Sequence, residues 1–261
     1  MDFLPKVRTE DGIAFIEINN PPLNIIDNGV ITAILSILDE VESDPSCRAL
    51  VLSGAGEKGF SAGASVEEHR PEQAPDMIKQ MVRLFERLHN TPLVTLAAIH
   101  GVCFGGGAEL ALACDFIVAS EDVKFSIPEI TLGCYPPFAM LQLPTQIGNR
   151  RAKEMILSGK GINAEIMSSF GLANLIVQRN ELIEAATGFL QKILINPPDI
   201  VSLTLKRMRM LESSNSFSDN QQMGQLFLED LMSHPDYIEG ITSFLDKRKP
   251  AWGNMRMKEK R

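Results

Sequence analysis

The chain has 261 residues, 44% of them hydrophobic and 22% charged, with a formal net charge of −8. That length and mixture supply a substantial core for one large domain, with or without an appendage, and the acidic balance argues against a general affinity for nucleic acid or anionic membrane. Four cysteines (Cys47, Cys103, Cys114 and Cys134) lack metal-ligand spacing, the N-terminus lacks an apolar signal core, and no apolar run is long enough to span a bilayer, so we expect a cytoplasmic protein with reduced thiols, no bound metal and no membrane segment.

In chain order, Gly12 to Ile18 reads as a strand that stops at the turn signal Asn19-Asn20-Pro21-Pro22. Helical spacing of Val30, Ile34, Ile37, Leu38 and Val41 predicts a helix from about Asn28 to Val41. Ala49 to Leu52 is a short buried strand closed by Ser53-Gly54-Ala55-Gly56. The order then repeats: helix Asp76 to Leu88, strand Val94 to Ile99, glycine turn, helix Gly106 to Ala113, strand Phe116 to Ala119. Strands alternating with helices predict an α/β core. After about residue 195 the character changes, and Pro198–Leu211, Phe217–Leu231 and Tyr237–Leu245 are all helical in pattern, with Met208, Met210, Met223 and Met232 as adaptable apolar contacts. Such a tail folds over its own core or packs on a neighbouring subunit.

The stretch from His100 to Asp115 sets Gly105-Gly106-Gly107 just ahead of Glu109, an acid in otherwise apolar helical company. Burying a carboxylate costs several kcal/mol, roughly, unless it is paired, hydrogen-bonded or protonated. Glycines permit close approach of a ligand to the backbone, and a helix that opens there aims free N–H groups and a positive dipole end at it. Taken alone, the segment is equally compatible with tight helix-on-strand packing and an acid that offsets the dipole. No Lys-Ser or Lys-Thr follows the glycines and GxGxxG spacing is absent, which argues against a P-loop or a dinucleotide fingerprint.

Three further segments favour the catalytic reading. They are Gly59-Phe60-Ser61-Ala62-Gly63-Ala64-Ser65, then Lys124-Phe125-Ser126-Ile127-Pro128-Glu129-Ile130, and near the end Phe244-Leu245-Asp246-Lys247-Arg248-Lys249-Pro250-Ala251-Trp252. In order and spacing, over essentially the whole chain, the four segments resemble the crotonase (enoyl-CoA hydratase/isomerase) superfamily. The resemblance implies a spiral of ββα repeats, residues 1–195, holding the active site, and a C-terminal helical trimerisation region, residues 196–261. It also implies a homotrimer or homohexamer and a thioester substrate on coenzyme A, with no separate cofactor. Carried over residue by residue, the backbone N–H groups of Ala64 and Gly106 would form an oxyanion hole, and Glu109 and Glu129 would match the two catalytic glutamates of the hydratases. Leu23, Ile25, Ala62, Gly63, Ser65, Gly105, Pro128, Tyr135 and Pro137 fall at substrate-binding positions. Arg248 and Lys249, or the Lys247 stem, are candidates for the coenzyme A phosphates, and Trp252 for a packing anchor.

Two departures from the family pattern bear on the substrate. Ser65 stands where most members have Asp, and Tyr135-Pro136-Pro137-Phe138-Ala139-Met140 replaces a glycine-rich run beside the acyl pocket. Pro, Phe and Met make that wall stiff and apolar, which suits a planar ring. The Cys-Tyr-Pro-Pro element and Glu68-His69-Arg70-Pro71-Glu72 resemble cyclohexa-1,5-diene-1-carbonyl-CoA hydratases of anaerobic aromatic degradation. A hydratase or isomerase of aliphatic enoyl-CoA is the alternative. An RNA-binding crotonase-like protein, which would bind through a lysine-rich helix, is a third reading, but the one comparable cluster here, Lys206-Arg207-Met208-Arg209, reads as a solvated face in an acidic chain. His69 and Tyr135 are candidates to line the acyl pocket, while Cys103 and Cys134 read as small buried fillers.

Overall fold

The computed structural model describes residues 4–251 except 197, 213–223, 226 and 230. An antiparallel hairpin of β1 (Lys6–Glu10) and β2 (Ile13–Ile18) opens the chain. Alternate β2 residues serve two cores: Ile13 and Phe15 face one side, Ala14, Ile16 and Ile18 the other, which explains a strand without polar alternation. Helix α1 (Asn28–Ser43) is capped by Asp27, whose carboxylate accepts from Val30 N at 2.8 Å. Its buried residues Val30, Ile31, Ile34, Leu35, Leu38 and Val41 form the stripe that helical spacing dictates.

Three successive units then share one plan. The first is β3 (Ala49–Gly54), β4 (Gly59–Ser61) and α2 (Ala74–Asn90). The second is β5 (Val94–Ile99), β6 (Val102–Phe104) and α3 (Gly106–Leu112). The third is β7 (Phe116–Ser120), β8 (Lys124–Ser126) and α4 (Ala139–Ile147). The first strand of each unit extends a large sheet in parallel and the second extends a small one. The chain therefore advances as a spiral of ββα turns. After α5 (Asn149–Ser158), strand β9 (Ile162–Asn163), α6 (Ala164–Phe170) and strand β10 (Leu175–Val177) complete the sheets. Their orders are β1-β2-β3-β5-β7-β10 and β4-β6-β8-β9. Helix α7 (Leu182–Leu194) covers the outer face of the large sheet with Leu182, Ala186 and Leu190.

The α/β architecture expected from the sequence is present, and each strand and helix expected between residues 12 and 120 appears with ends shifted by a few residues at most. The expected C-terminal helices correspond to α8 (Pro198–Glu212) and α9 (Pro235–Leu245). The expected helix over Phe217–Leu231 falls largely outside the described residues, as does Trp252. One expectation is corrected: Arg209 is not on a solvated face but 5% exposed, with its guanidinium on the Asp115 carboxylate. Among the described residues no helix is long and apolar enough to cross a membrane.

Candidate active site

The three glycines ahead of Glu109 answer three different local demands. Gly105 has φ 51 and ψ −127, a conformation that side chains disfavour, and a Cβ there would lie 2.9 Å from Glu129 Oε1. Gly106 lies so near the preceding turn that its Cβ would come within 3.0 Å of Ala64 N. A Cβ on Gly107 would meet Ser61 Cβ at 2.7 Å, so this glycine sets α3 directly against β4. Close packing and close approach to the Glu129 carboxyl are both present in the one triplet.

The turn bearing Ala64 is held from the other side by the loop after β2. Ala62 N donates to Leu23 O at 2.9 Å, Ile26 N to Gly63 O at 2.9 Å and Ser65 N to Ile26 O at 3.2 Å. Leu23, 37% exposed, and half-buried Ile25 are thereby set beside Ala62, Gly63 and Ala64. Asn24 anchors that loop: it is buried at φ 52, accepts from Asn20 N, and donates from Nδ2 to Ala55 O and Gly59 O, both at 2.9 Å. Asparagine tolerates this left-handed backbone, and Asn24 was not among the expected substrate-binding residues. Neither Ala64 N nor Gly106 N is used in a turn, loop or cap bond among the described residues, and an N–H in the first turn of a helix has no intrahelical acceptor. The two N–H groups also lie close together, since a Cβ on Gly106 would come within 3.0 Å of Ala64 N.

Glu109 is 4% exposed. Its Oε1 accepts from Phe138 N at 3.1 Å and Ala139 N at 2.9 Å, at the start of α4. Those two N–H groups were not among the expected site groups. The signal for them is the Pro136-Pro137 pair, which lacks N–H groups of its own and leads directly into a helix start. The side chain of Phe138 turns into the core, its ring 4.4 Å from that of Phe85, so at this point the wall touches the carboxylate through its backbone. Pro136 and Pro137 are buried, Tyr135 and Pro128 half-buried.

Glu129 begins a short 3₁₀ turn, Glu129–Leu132, after Pro128. The backbone carbonyl of Glu129 accepts from Cys134 N at 3.2 Å and Cys134 Sγ at 3.3 Å. Its carboxyl Oε2 is enclosed and has no hydrogen-bond partner. Burial raises both carboxyls above their ordinary range; Phe138 and Ala139 oppose this at Glu109, whereas the nearby Glu109 charge adds to it at Glu129. The geometry thus favours an ionised, doubly hydrogen-bonded Glu109 facing a protonated Glu129.

A raised carboxyl pKa favours the folded state only while the proton stays on, so its contribution is present below the unfolded value near 4.5 and lost as pH rises through the folded one. Glu129→Gln, which mimics the protonated form, is expected to melt near the native protein at pH 4.5 and above it at pH 8, by about 2–4 °C for each kcal/mol of ionisation cost. Differential scanning calorimetry at several pH values checks this, and parallel melting curves for the two proteins would count against a protonated Glu129.

The remaining candidates fall into place around this pair. Ser65 Oγ accepts from Glu68 N at 3.4 Å at the start of the 3₁₀ turn Glu67–His69, and Ser65 O bonds His69 Nδ1 at 2.7 Å. Burial lowers the His69 pKa and keeps the ring neutral. Tyr135 and His69 both pack on Phe227, at 5.4 and 6.4 Å between centroids. Arg248 is paired with Glu239 at 2.8 Å, and Lys247 and Lys249 are exposed. Cys103 and Cys134 are buried free thiols. Among the described residues no cluster of His, Cys, Asp and Glu could hold a metal ion.

Residues 8–255 match the family model described as enoyl-CoA hydratase/isomerase. A Bacillus subtilis protein described as "Probable enoyl-CoA hydratase" is 34% identical over 95% of this chain and 97% of its own length. The cyclohexa-1,5-dienecarbonyl-CoA hydratase of Thauera aromatica is 32% identical over 92% of each chain. The crystal structure of an enoyl-CoA hydratase from Bacillus anthracis superposes with a TM-score of 0.75 at 31% identity, over 95% of this chain and 98% of that one.

Proposed function

The chain belongs to the enoyl-CoA hydratase/isomerase family, and from that premise we propose that it adds water to a conjugated enoyl thioester of coenzyme A, with cyclohexa-1,5-diene-1-carbonyl-CoA as its substrate. The observation that carries the hydratase reading is the asymmetry of the buried acids, Glu109 held by two backbone N–H groups and Glu129 with Oε2 unpartnered. Glu109 is the base, taking a proton from water as the oxygen bonds to the β-carbon. The electron pair moves through the ring to the thioester oxygen, where Ala64 N and Gly106 N hold the enolate; such a donor typically contributes about 2.7–4 kcal/mol. Glu129 is the acid and gives its proton to the γ-carbon, completing a 1,4-addition. Proton return from Glu109 to Glu129 then resets the pair. Coenzyme A enters as part of the substrate and no separate cofactor takes part.

Support for a cyclic acyl group comes from the aromatic and proline wall of Tyr135, Pro136 and Pro137, backed by Phe227, and from the likeness to the Thauera aromatica protein. The likeness to the Bacillus subtilis protein supports enoyl-CoA hydration without favouring a ring. Self-association as a trimer or a dimer of trimers belongs to the same reading. A panel of cyclic dienoyl-, cyclic monoenoyl- and linear enoyl-CoA substrates, followed by absorbance and product mass, is the test. The expected result is highest kcat/KM on the cyclic diene with a β-hydroxy cyclic monoene as product. A preference for crotonyl-CoA over every ring would select the aliphatic reading, and no turnover of any member would reject hydration.

A further inference from the structure

Helix α9 packs back onto its own chain at two points, one at the end of the turn that begins at Glu129 and one at the turn that follows Ala64 and Ser65. At one, Gly240 lies flat on the end of the Glu129–Leu132 turn: a Cβ there would sit 1.9 Å from Leu132 O and 2.3 Å from Leu132 C. No side chain separates the helix from the peptide that closes the turn. At the other, buried Tyr237 donates from its hydroxyl to His69 O. His69 in turn holds Ser65 O with its ring, one residue beyond Ala64.

Followed in order, these contacts form one connected path from the oxyanion turn to the acid. Ala64 is fixed through Ser65 and His69, His69 through Tyr237, Tyr237 through one turn of helix to Gly240, and Gly240 against the turn that begins at Glu129. Helical rise separates the two anchoring residues by about 4.5 Å along the axis, a rigid spacer between two turns that otherwise belong to different ββα units. We propose that α9 is a brace that sets the distance between the oxyanion donors and the Glu129 carboxyl, with Tyr237, Gly240 and His69 as positioning residues. The catalytic consequence rests on the hydratase reading above; the brace itself does not.

The test compares the full-length protein with Tyr237→Phe, which keeps the ring and removes only the bond to His69, and with Gly240→Ala, which must lift the helix from Leu132. Amide hydrogen exchange read by mass spectrometry is expected to quicken in both 64–69 and 129–134 in each variant, with the central strands of the large sheet unchanged. On the substrate that the native protein turns over, kcat is expected to fall about 10- to 100-fold, the order of a misplacement near 1 Å, while KM changes by less than about threefold, since the helix bears on the Glu67–His69 and Glu129–Leu132 turns. A lower melting temperature with unchanged kcat and unchanged exchange in the two segments would overturn the brace and leave Tyr237 a packing residue. Faster exchange in one segment only would overturn the coupling between them. If Gly240→Ala fails to fold, Tyr237→Phe alone decides; if the native protein hydrates nothing, the functional reading fails and the exchange pattern still decides the brace.

Discussion

Glu129→Gln is expected to slow hydration by about 10²–10⁴-fold, the span of general acid–base catalysis, and to leave binding of a saturated CoA thioester within a few-fold. The amide matches the neutral carboxyl in shape but has no acidic proton to give, so the loss falls on protonation of carbon. Glu109→Gln is expected to lose a similar factor by another route. Its amide oxygen can still accept from Phe138 N and Ala139 N, so the wall keeps its position while the base is gone. Running the reaction in deuterated water separates the roles. Any γ-proton of product exchanged back into solvent reports Glu129, so that exchange is expected to vanish in Glu129→Gln and to persist longer in Glu109→Gln than water addition does. Near-native turnover in either variant would reject a two-acid mechanism, and identical exchange behaviour would reject the division of labour.

The alternation of longer strands and helices was legible in the residues, whereas the spiral followed only from the family resemblance, since the short strands Gly59–Ser61, Val102–Phe104 and Lys124–Ser126 carry no strand signal of their own. Apolar runs such as Val94–Ile99 are too short for helices and end at glycines, and α1 and α2 carry stripes at helical spacing. The carboxyl pair was legible for a different reason. An acid such as Glu109 inside an apolar run is costly enough to imply compensation, and Glu129 gained meaning only from the pattern shared with a family. What compensates them was not legible, since Phe138 N and Ala139 N are backbone groups and no side chain records them. The brace was hidden likewise: Gly240 reads as an ordinary helix glycine, and its importance lies in the Leu132 carbonyl, more than a hundred positions away in the chain. The exposed-face reading holds for Lys206, Arg207 and Met208 but fails at Arg209, because a charge run reports composition, whereas burial depends on which residue of the run meets an acid across space.

That acid gives the largest stability effect expected of a single substitution. Arg209 donates from Nε and one terminal nitrogen to both Asp115 oxygens at 2.9 and 2.6 Å, and to the carbonyls of Thr91, Leu93 and His89 at 2.6, 3.2 and 3.2 Å. The two side chains are 7% and 12% exposed. Asp115 also accepts from Thr95 N and Thr95 Oγ1, both at 2.8 Å. The guanidinium therefore ties α8 to the last carbonyls of α2, where the helix dipole favours a cation, and to the residues that lead into β5. Removing one partner of such a pair leaves the other charge buried with only part of its compensation, here the two Thr95 donors on Asp115, which costs about 3–5 kcal/mol. Arg209→Ala is expected to show that loss in urea unfolding, since the carboxylate and three carbonyls lose their donor together. Arg209→Lys is expected to recover only part of it, because one ammonium cannot span Asp115 and carbonyls on opposite sides. Combining Arg209→Met with Asp115→Asn is expected to be less damaging than the sum of the two single changes, since neither bare charge remains. Strict additivity, or an Arg209→Ala protein as stable as the native one, would show that α8 is held by its apolar contacts alone. The carboxyl pair sits outside this cluster, so at temperatures where the variants are folded their kcat is expected to stay near native, which separates the anchor of α8 from the brace formed by α9.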